Sequence, residues 1–255
     1  MIETAICGQG RLGGRIAALL SAIGKVPLPL RLNPEHGLVL PVAQPPLHIR
    51  TLIICLVPRA AVVGQAPAAD DLAAENQASA KPQRASVAWA GLLDGVLAQV
   101  QRGELIIDQL LHVSSTAVYE GYQQGWVRAT SPAKGDSPRA LALAEAEQKV
   151  RGLSRNSLVV RLSGLYGPGY EGYQPLAFND DKARMGVDLR AAAAMIYALL
   201  RKGITGAATA LITDGNIYYQ GQAYKADVAN PLLAKLASKQ RLLLASHPLS
   251  WPPRG

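Results

Sequence analysis

Three features of the sequence predict an α/β protein: a doubly wound, mostly parallel sheet with a small C-terminal lobe. Apolar runs of strand length alternate with segments whose apolar residues fall at helical spacing. A glycine-rich turn, "CGQGRLGG" at residues 7–14, joins the first such strand to the first such helix. The 255 residues are 49% apolar and only 17% charged, a composition that fills a core.

The first strand is Ile2–Cys7. A helix follows from Arg11 to about Ile23, with Leu12, Ile16, Leu19, Leu20 and Ile23 on one face and Gly24 placed to end it. "PLPLRL", 27–32, reads as a second strand, and its two prolines put it near an edge. A weak strand at 38–42 and a strong one at 52–57, "LIICLV", come next. Residues 64–86 are rich in Ala and polar residues and read as a surface loop or frayed helix. Trp89, Leu92, Leu93, Val96, Leu97 and Val100 then form an apolar helical stripe closed by Gly103. A strand at 110–114 leads into "SSTAVYEGY", 114–122. Ser137 and Pro138 open a helix over 138–150 as N-cap and first residue, and Gly152 closes it. "SLVVRL", 157–162, is a strand. A helix from about Asp188 to Leu200 buries Leu189, Ala193, Ile196, Leu199 and Leu200. "ATALIT", 208–213, is a late strand, and Asn230–Pro231 opens a last helix. Residues 1–160 are expected to form the nucleotide-binding core. Residues 161–255 supply the remaining strands and the small lobe, within one integrated domain.

The composition excludes several classes. No apolar run reaches the ~18 residues needed to span a bilayer, so no membrane association is expected. The N-terminus lacks the basic and apolar regions of a signal peptide. Cys7 and Cys55 both sit in apolar runs, and two reduced, buried thiols suit a cytoplasmic protein. They could bridge only if their strands were neighbours. The four histidines are scattered, and no Cys/His spacing suggests a metal. The net charge of +8 allows a solvated basic surface, a pocket for an anionic ligand, or nucleic acid. The basic residues are spread along the chain and are not interleaved with aromatics in one stripe, so nucleic acid is not expected. The partner is a small molecule, with an anionic substrate among the readings, and the chain is a monomer or homodimer.

The turn carries the first chemistry. Gly8, Gly10 and Gly13 form G-x-G-x-x-G between a strand and a helix, with Gln9, Arg11 and Leu12 between them. Gly8 permits a tight turn, Gly10 lets a pyrophosphate approach the backbone, and Gly13 lets the helix pack close. The strand–turn–helix context makes a dinucleotide site of Rossmann type the expectation, with a Gly-rich turn that holds no ligand as the alternative. A NAD site usually has an acid about 20 residues on, at the end of the second strand. Asn33 holds that place, with Arg31 two residues before it and Glu35 late. The missing acid, with Arg31 and Arg11 nearby, favours NADP while leaving NAD possible, since a 2′-phosphate needs a cation.

"CGQGRLGGRI", "HVSSTAVYEG" and "VVRLSGLYGPG", in that order, resemble the extended or atypical short-chain dehydrogenase/reductases, the NAD-dependent epimerase/dehydratase-like proteins. "TLIICLVPR" is similar to that family's fourth strand, and the likeness covers most of residues 1–215. The resemblance implies that Val57, Pro58, Arg59 and Ser114 lie beside the cofactor. It implies that Thr116, or Ser115, hydrogen-bonds the reacting oxygen of the substrate. In that family a Tyr acts as acid or base while a Lys four residues later lowers its pKa. Here no tyrosine has a Lys at that spacing. The corresponding helix reads "SPRALALAEAEQKV", with Arg139 and Leu143 at the aligned places. Glu120 stands where the family has Gly. Tyr119 reads as a packing residue. Tyr122, on a loop, is the candidate that could reach the site, with Lys134 or Arg139 as further polarising groups.

Three functions compete at this stage. One is an NADP-dependent reductase or epimerase-like enzyme with a non-standard proton donor. Another is a silent dinucleotide-binding sensor or partner subunit. The third is a dehydrogenase of another Rossmann class, against which "SSTAVY" and "YGPG" both argue. The loop over 166–186 lines the substrate side in the enzyme reading.

Overall fold

The computed structural model describes residues 1–33, 37–39, 46–56, 93–122, 126–169, 174–177, 184–225 and 244–245. A seven-stranded sheet forms the centre. Its strands are β1 (Ile2–Cys7), β2 (Leu28–Asn33), β3 (Gly37–Val39), β4 (Leu47–Ile54), β5 (Leu105–Ser115), β7 (Asn156–Leu162) and β10 (Ala207–Ile212). They lie in the order β10-β7-β5-β4-β1-β2-β3. All neighbours are parallel except β2 and β3, which form an antiparallel pair. Strand order reverses at β1, beside β4, which is the switch point at which this class of sheet opens a crevice.

Helices cover both faces. A helix over 93–101, α2, and α3 (Pro138–Leu153) pack on one side with Leu93, Val96, Ala142, Ala146 and Val150. On the other side lie α1 (Arg11–Ser21) and α4 (Leu189–Lys202), with Leu12, Ile16, Leu20, Ala192 and Ile196. The caps follow the sequence. Ser137 Oγ accepts from Ala140 N, and Asp188 accepts from Arg190 N and Ala191 N. Gly24, at φ +78°, turns the chain after α1. The first helix stops at Ser21, two residues short of Ile23, which is 48% exposed and adds nothing to the buried face.

The strands β4 and β5 begin five residues earlier than their apolar runs suggest. In their first halves they carry His48 and Asp108, whose side chains pair at 2.7 Å in a half-exposed place. Polar residues interrupt the apolar run there, but the backbone ladder continues through them. At the sheet edge, Gln99 from α2 clamps β3. Its amide accepts from Leu38 N and donates to Leu38 O, both at 2.9 Å. A buried side chain thus supplies the partner that a further strand would have supplied.

The two cysteine strands, β1 and β4, are neighbours, yet both thiols are free. Cys7 packs into the α2/α3 side of the sheet and Cys55 against the α1/α4 side, so the thiols point to opposite faces. Burial pushes each thiol up to about 12.

A second sheet stands beyond the carboxyl ends of these strands. It holds β8 (Gly164–Tyr166), β9 (Arg184–Asp188), β11 (Asn216–Tyr219) and β12 (Gln222–Lys225), in the order β12-β11-β9-β8. A third small sheet pairs β6 (Trp126–Val127) with β13 (Leu244–Ala245). No helix among the described residues is long and apolar enough to cross a membrane. The loop at 64–86 and the helix expected from Asn230 lie outside the described residues, as do Glu35, Val57, Pro58 and Arg59.

Candidate active site

The glycine turn is shaped by close packing. Gly8 has φ +86°, and a Cβ there would stand 2.8 Å from Cys55 O. A Cβ on Gly13 would stand 1.9 Å from Gly8 O, so the first turn of α1 lies directly on the strand it follows. Gly10 differs from both: nothing lies within 4 Å of its Cβ position, and no side chain caps the helix there. Its open side leaves room for a ligand against the unpaired N–H groups of the first helical turn. Gln9 and Gly10 are exposed. Leu12 is 7% exposed and packs into the core, so only its backbone belongs to the turn.

Beside the turn is an open cavity of about 690 Å³, lined by Gly8, Gln9, Pro29, Leu30, Arg31, Leu32 and Leu56. It therefore joins the turn after β1 to the end of β2. Arg31 is an exposed cation on its wall, and Asn33 ends β2. Arg11 points elsewhere. It lies against Gly169 in the loop after β8.

The segment after β5, the lip, leaves the carboxyl end of the strand two places from β1 in the sheet. Ser114 is 4% exposed, and its hydroxyl donates to Glu147 Oε1 at 2.6 Å. Its side chain therefore faces the α3 interface. Ser115 Oγ accepts from Ala117 N and caps a 3-10 turn, Thr116–Tyr119. The Thr116 hydroxyl is half-buried and makes no hydrogen bond among the described residues. Tyr119 is fully buried, as a packing residue should be. Its hydroxyl donates to Arg128 O at 2.8 Å, and burial pushes its pKa up. Glu120 accepts from Ser137 Oγ, tying the lip to the cap of α3. Tyr122 donates to Pro132 O at 3.1 Å, and Lys134 Nζ lies 5.6 Å from its ring centroid. The structure thus brings Tyr122 and Lys134 together, across a loop. It leaves Arg139 exposed on α3, and it packs Leu143 fully buried against Val118 and Tyr119.

Sequence reading missed the group that holds this lip. Arg161 on β7 is 4% exposed and makes a two-pronged pair with Glu147, Nη2 to Oε2 at 2.7 Å and Nε to Oε1 at 3.0 Å. Its Nη1 donates to Tyr119 Oη at 2.7 Å and to Ser131 O at 2.8 Å. The signal was present as an Arg inside "VVRL" and a Glu on the apolar side of "ALAEAEQKV". A second missed cluster joins the small sheet. Tyr166 and Tyr218 both donate to Asp214 Oδ2, Tyr166 at 2.9 Å. Burial, opposed by the Tyr218 hydrogen bond and helped by the Asp214 carboxylate, pushes Tyr166 up to about 12, which keeps it a neutral donor.

No protein-family model and no curated protein matches the chain. Solved structures do. A UDP-galactose 4-epimerase superposes with a TM-score of 0.60 at 11% identity, over 85% of this chain and 78% of its own. TunA, an NAD-dependent NDP-hexosamine 5,6-dehydratase of tunicamycin biosynthesis, gives 0.58 at 15% identity, over 97% and 85%. MoeE5, in complex with UDP-glucose and NAD, gives 0.55 at 15% identity, over 96% and 85%. At these identities the similarity establishes the fold: the chain has the Rossmann-type α/β fold of the NAD-dependent epimerase/dehydratase-like proteins.

Proposed function

We propose that the chain is an NAD(P)-binding oxidoreductase or epimerase-like enzyme, and more narrowly an NADP-dependent reductase of a small carbonyl-type substrate. The observation that carries this reading is the cavity between the glycine turn and β2, with Arg31 on its wall and no acid among its described lining residues. A dinucleotide would rest its pyrophosphate on the turn at Gly10 and place its adenosine end in that cavity, where Arg31 would meet a 2′-phosphate. The bound cofactor supplies the hydride. The chain would supply orientation: the Thr116 hydroxyl, which makes no hydrogen bond among the described residues, would hold the substrate oxygen, with Ser115 capping the turn that carries it. The proton that completes reduction of a carbonyl comes from a group other than a helical Tyr/Lys pair. Tyr122, beside Lys134, is the donor favoured by proximity to the lip.

A second reading is a silent dinucleotide-binding sensor or partner subunit. It is favoured by Leu143, which is buried at the position where the aligned helix would carry the Lys. A fluorescence titration with NADPH and NADH tests the common ground, and tighter binding of NADPH is expected. No binding of either at millimolar concentration would remove both readings. A screen of carbonyl compounds for NADPH oxidation then separates enzyme from sensor.

A further inference from the structure

We propose that the amino-terminal end of the central sheet docks on a bilayer surface rich in anionic phospholipid, with Ile23, Val26 and Ile106 entering the headgroup layer among Lys and Arg side chains. The glycine turn and the cavity beside it follow the carboxyl ends of the strands, so in this orientation they face away from the bilayer. The proposal does not depend on what that cavity binds.

The geometry starts from the strand register. β2, β7 and β10 begin level with Leu110 of β5: Leu28 pairs with Ala5, Ala5 with Leu52, Leu52 with Leu110, Leu110 with Ser157 and Ser157 with Ala207. β4 and β5 begin earlier, with Leu47 opposite Leu105. Segments 47–51 and 105–109 therefore project from the end of the sheet, beyond its outer strands. On this projection Ile106 is 44% exposed. At the same end, in the turn between α1 and β2, Ile23 is 48% and Val26 77% exposed.

Positive charge collects at this end. Lys25 Nζ, at 3.6 Å, and Arg50 Nη1, at 3.3 Å, share one acid, Glu3. Arg201 and Lys202 end α4, and the turn after them is pinned to the projection and to β7. Ile204 N donates to Gln109 Oε1 at 3.2 Å and Gly206 N to Asn156 Oδ1 at 3.0 Å. Arg155, next to Asn156, is exposed, as are Arg201 and Lys202, and the three make no ion pair among the described residues. Asp108 faces His48, and Glu104 faces Arg102. The end thus keeps a surplus of cations. A helix dipole accounts for Arg201 and Lys202 at the end of α4, but not for aliphatic side chains left bare beside them. Aliphatic groups among Lys and Arg fit an anionic lipid surface: the former leave water for the acyl boundary while the latter meet phosphates. A nucleic acid would leave the aliphatic groups unused, and a second copy would set surplus positive charge against itself. The absence of a membrane span is no obstacle, because an interfacial contact needs none.

Cosedimentation of the full chain with vesicles tests this. Binding is expected to vesicles of phosphatidylcholine mixed with phosphatidylglycerol, not to phosphatidylcholine alone, and it should weaken as salt is added. Arg201→Gln with Lys202→Gln should weaken it by about 30-fold. Val26→Ser leaves the charge unchanged and should weaken it by about fivefold. Arg128→Gln with Arg139→Gln removes the same charge from the carboxyl end and should bind as the parent does. All these side chains are exposed, so each variant keeps the fold, which circular dichroism checks. No binding to the phosphatidylglycerol vesicles overturns the proposal, whether or not the chain instead binds a DNA duplex or dimerises. An equal loss in the two double variants also overturns it, since the attraction would then be one of net charge alone. So does parental binding by Val26→Ser.

Discussion

Arg161 on β7 and Glu147 on α3 face each other inside the protein, with two nitrogens of the guanidinium on the carboxylate and both side chains about 95% buried. The pair joins the sheet to the helix. Through Tyr119 and the carbonyl of Ser131 it also holds the segment that follows the Ser115–Thr116 lip. Removing one partner leaves a buried charge uncompensated, which costs far more than the pair contributes. Arg161→Met is expected to destabilise the fold by about 3–5 kcal/mol, read from the midpoint of urea unfolding. Changing both residues to apolar ones should recover much of that loss. A single variant as stable as the parent would show that the pair does not hold the lip.

His112 gives a pH dependence of definite sign. It is fully buried on β5, and burial lowers its pKa from the usual 6.5 to about 4, against the opposing pull of the Glu147 charge. Between those values the unfolded chain binds the proton and the folded chain does not. The stability present at pH 7 is therefore lost as the pH falls from about 6.5 through about 4. The loss amounts to something on the order of 3 kcal/mol. Unfolding measured at pH 7 and pH 4.5 should show a smaller difference for His112→Leu than for the parent. Equal differences would assign the acid sensitivity to other groups.

The two glycines at the start of α1 should respond differently to the same change. Gly13→Ala puts a methyl group 1.9 Å from Gly8 O, so either the turn or the helix must move. Dinucleotide binding is expected to vanish in a fluorescence titration. Gly14→Ala meets only Gln9 O at 3.5 Å, an ordinary contact, and should bind normally. A Gly13 variant with parental affinity would refute the geometry of the turn.

Gln99→Leu removes both hydrogen bonds to the backbone of Leu38. The buried N–H and C=O of the edge strand would then lack partners, at a cost of about 1–3 kcal/mol. Amide exchange at Leu38 should accelerate in the variant. Exchange at the parental rate would mean that other contacts hold β3.

At the lip, Thr116→Val removes a hydroxyl that holds nothing in the described structure. NADPH affinity should therefore stay the same while carbonyl reduction falls by about 100-fold, a loss of transition-state contact without a loss of cofactor binding. Full turnover in the variant would move the substrate oxygen to another residue.

The order of the elements was legible from residue patterns, because strand runs, helical stripes and caps are local. Ser137, Asp188 and Gly24 each act within a few residues of their own position, and the structure puts them at the helix ends where the sequence reads them. The glycine turn was legible for the same reason: its packing constraint runs between Gly8 and Gly13, five residues apart. Some things depended on distant parts of the chain meeting. The first halves of β4 and β5 were hidden because His48 and Asp108 break the apolar pattern, yet the two satisfy each other across the ladder. Arg161 and Glu147 read separately as an odd Arg in a strand and an ordinary Glu in a helix. Only the packing of α3 on β7 makes them one buried pair. Ser114 and Thr116 look alike in "SSTAVY", and strand pleat and the following turn send one into the core and leave the other at the lip. The sequence by itself determined the fold class and the glycine turn between β1 and α1, since both rest on short-range spacing. Tertiary structure alone decided which arginine stands in the cavity and which lies on Gly169, because that is set by where β2 and the loop after β8 come to rest around the turn.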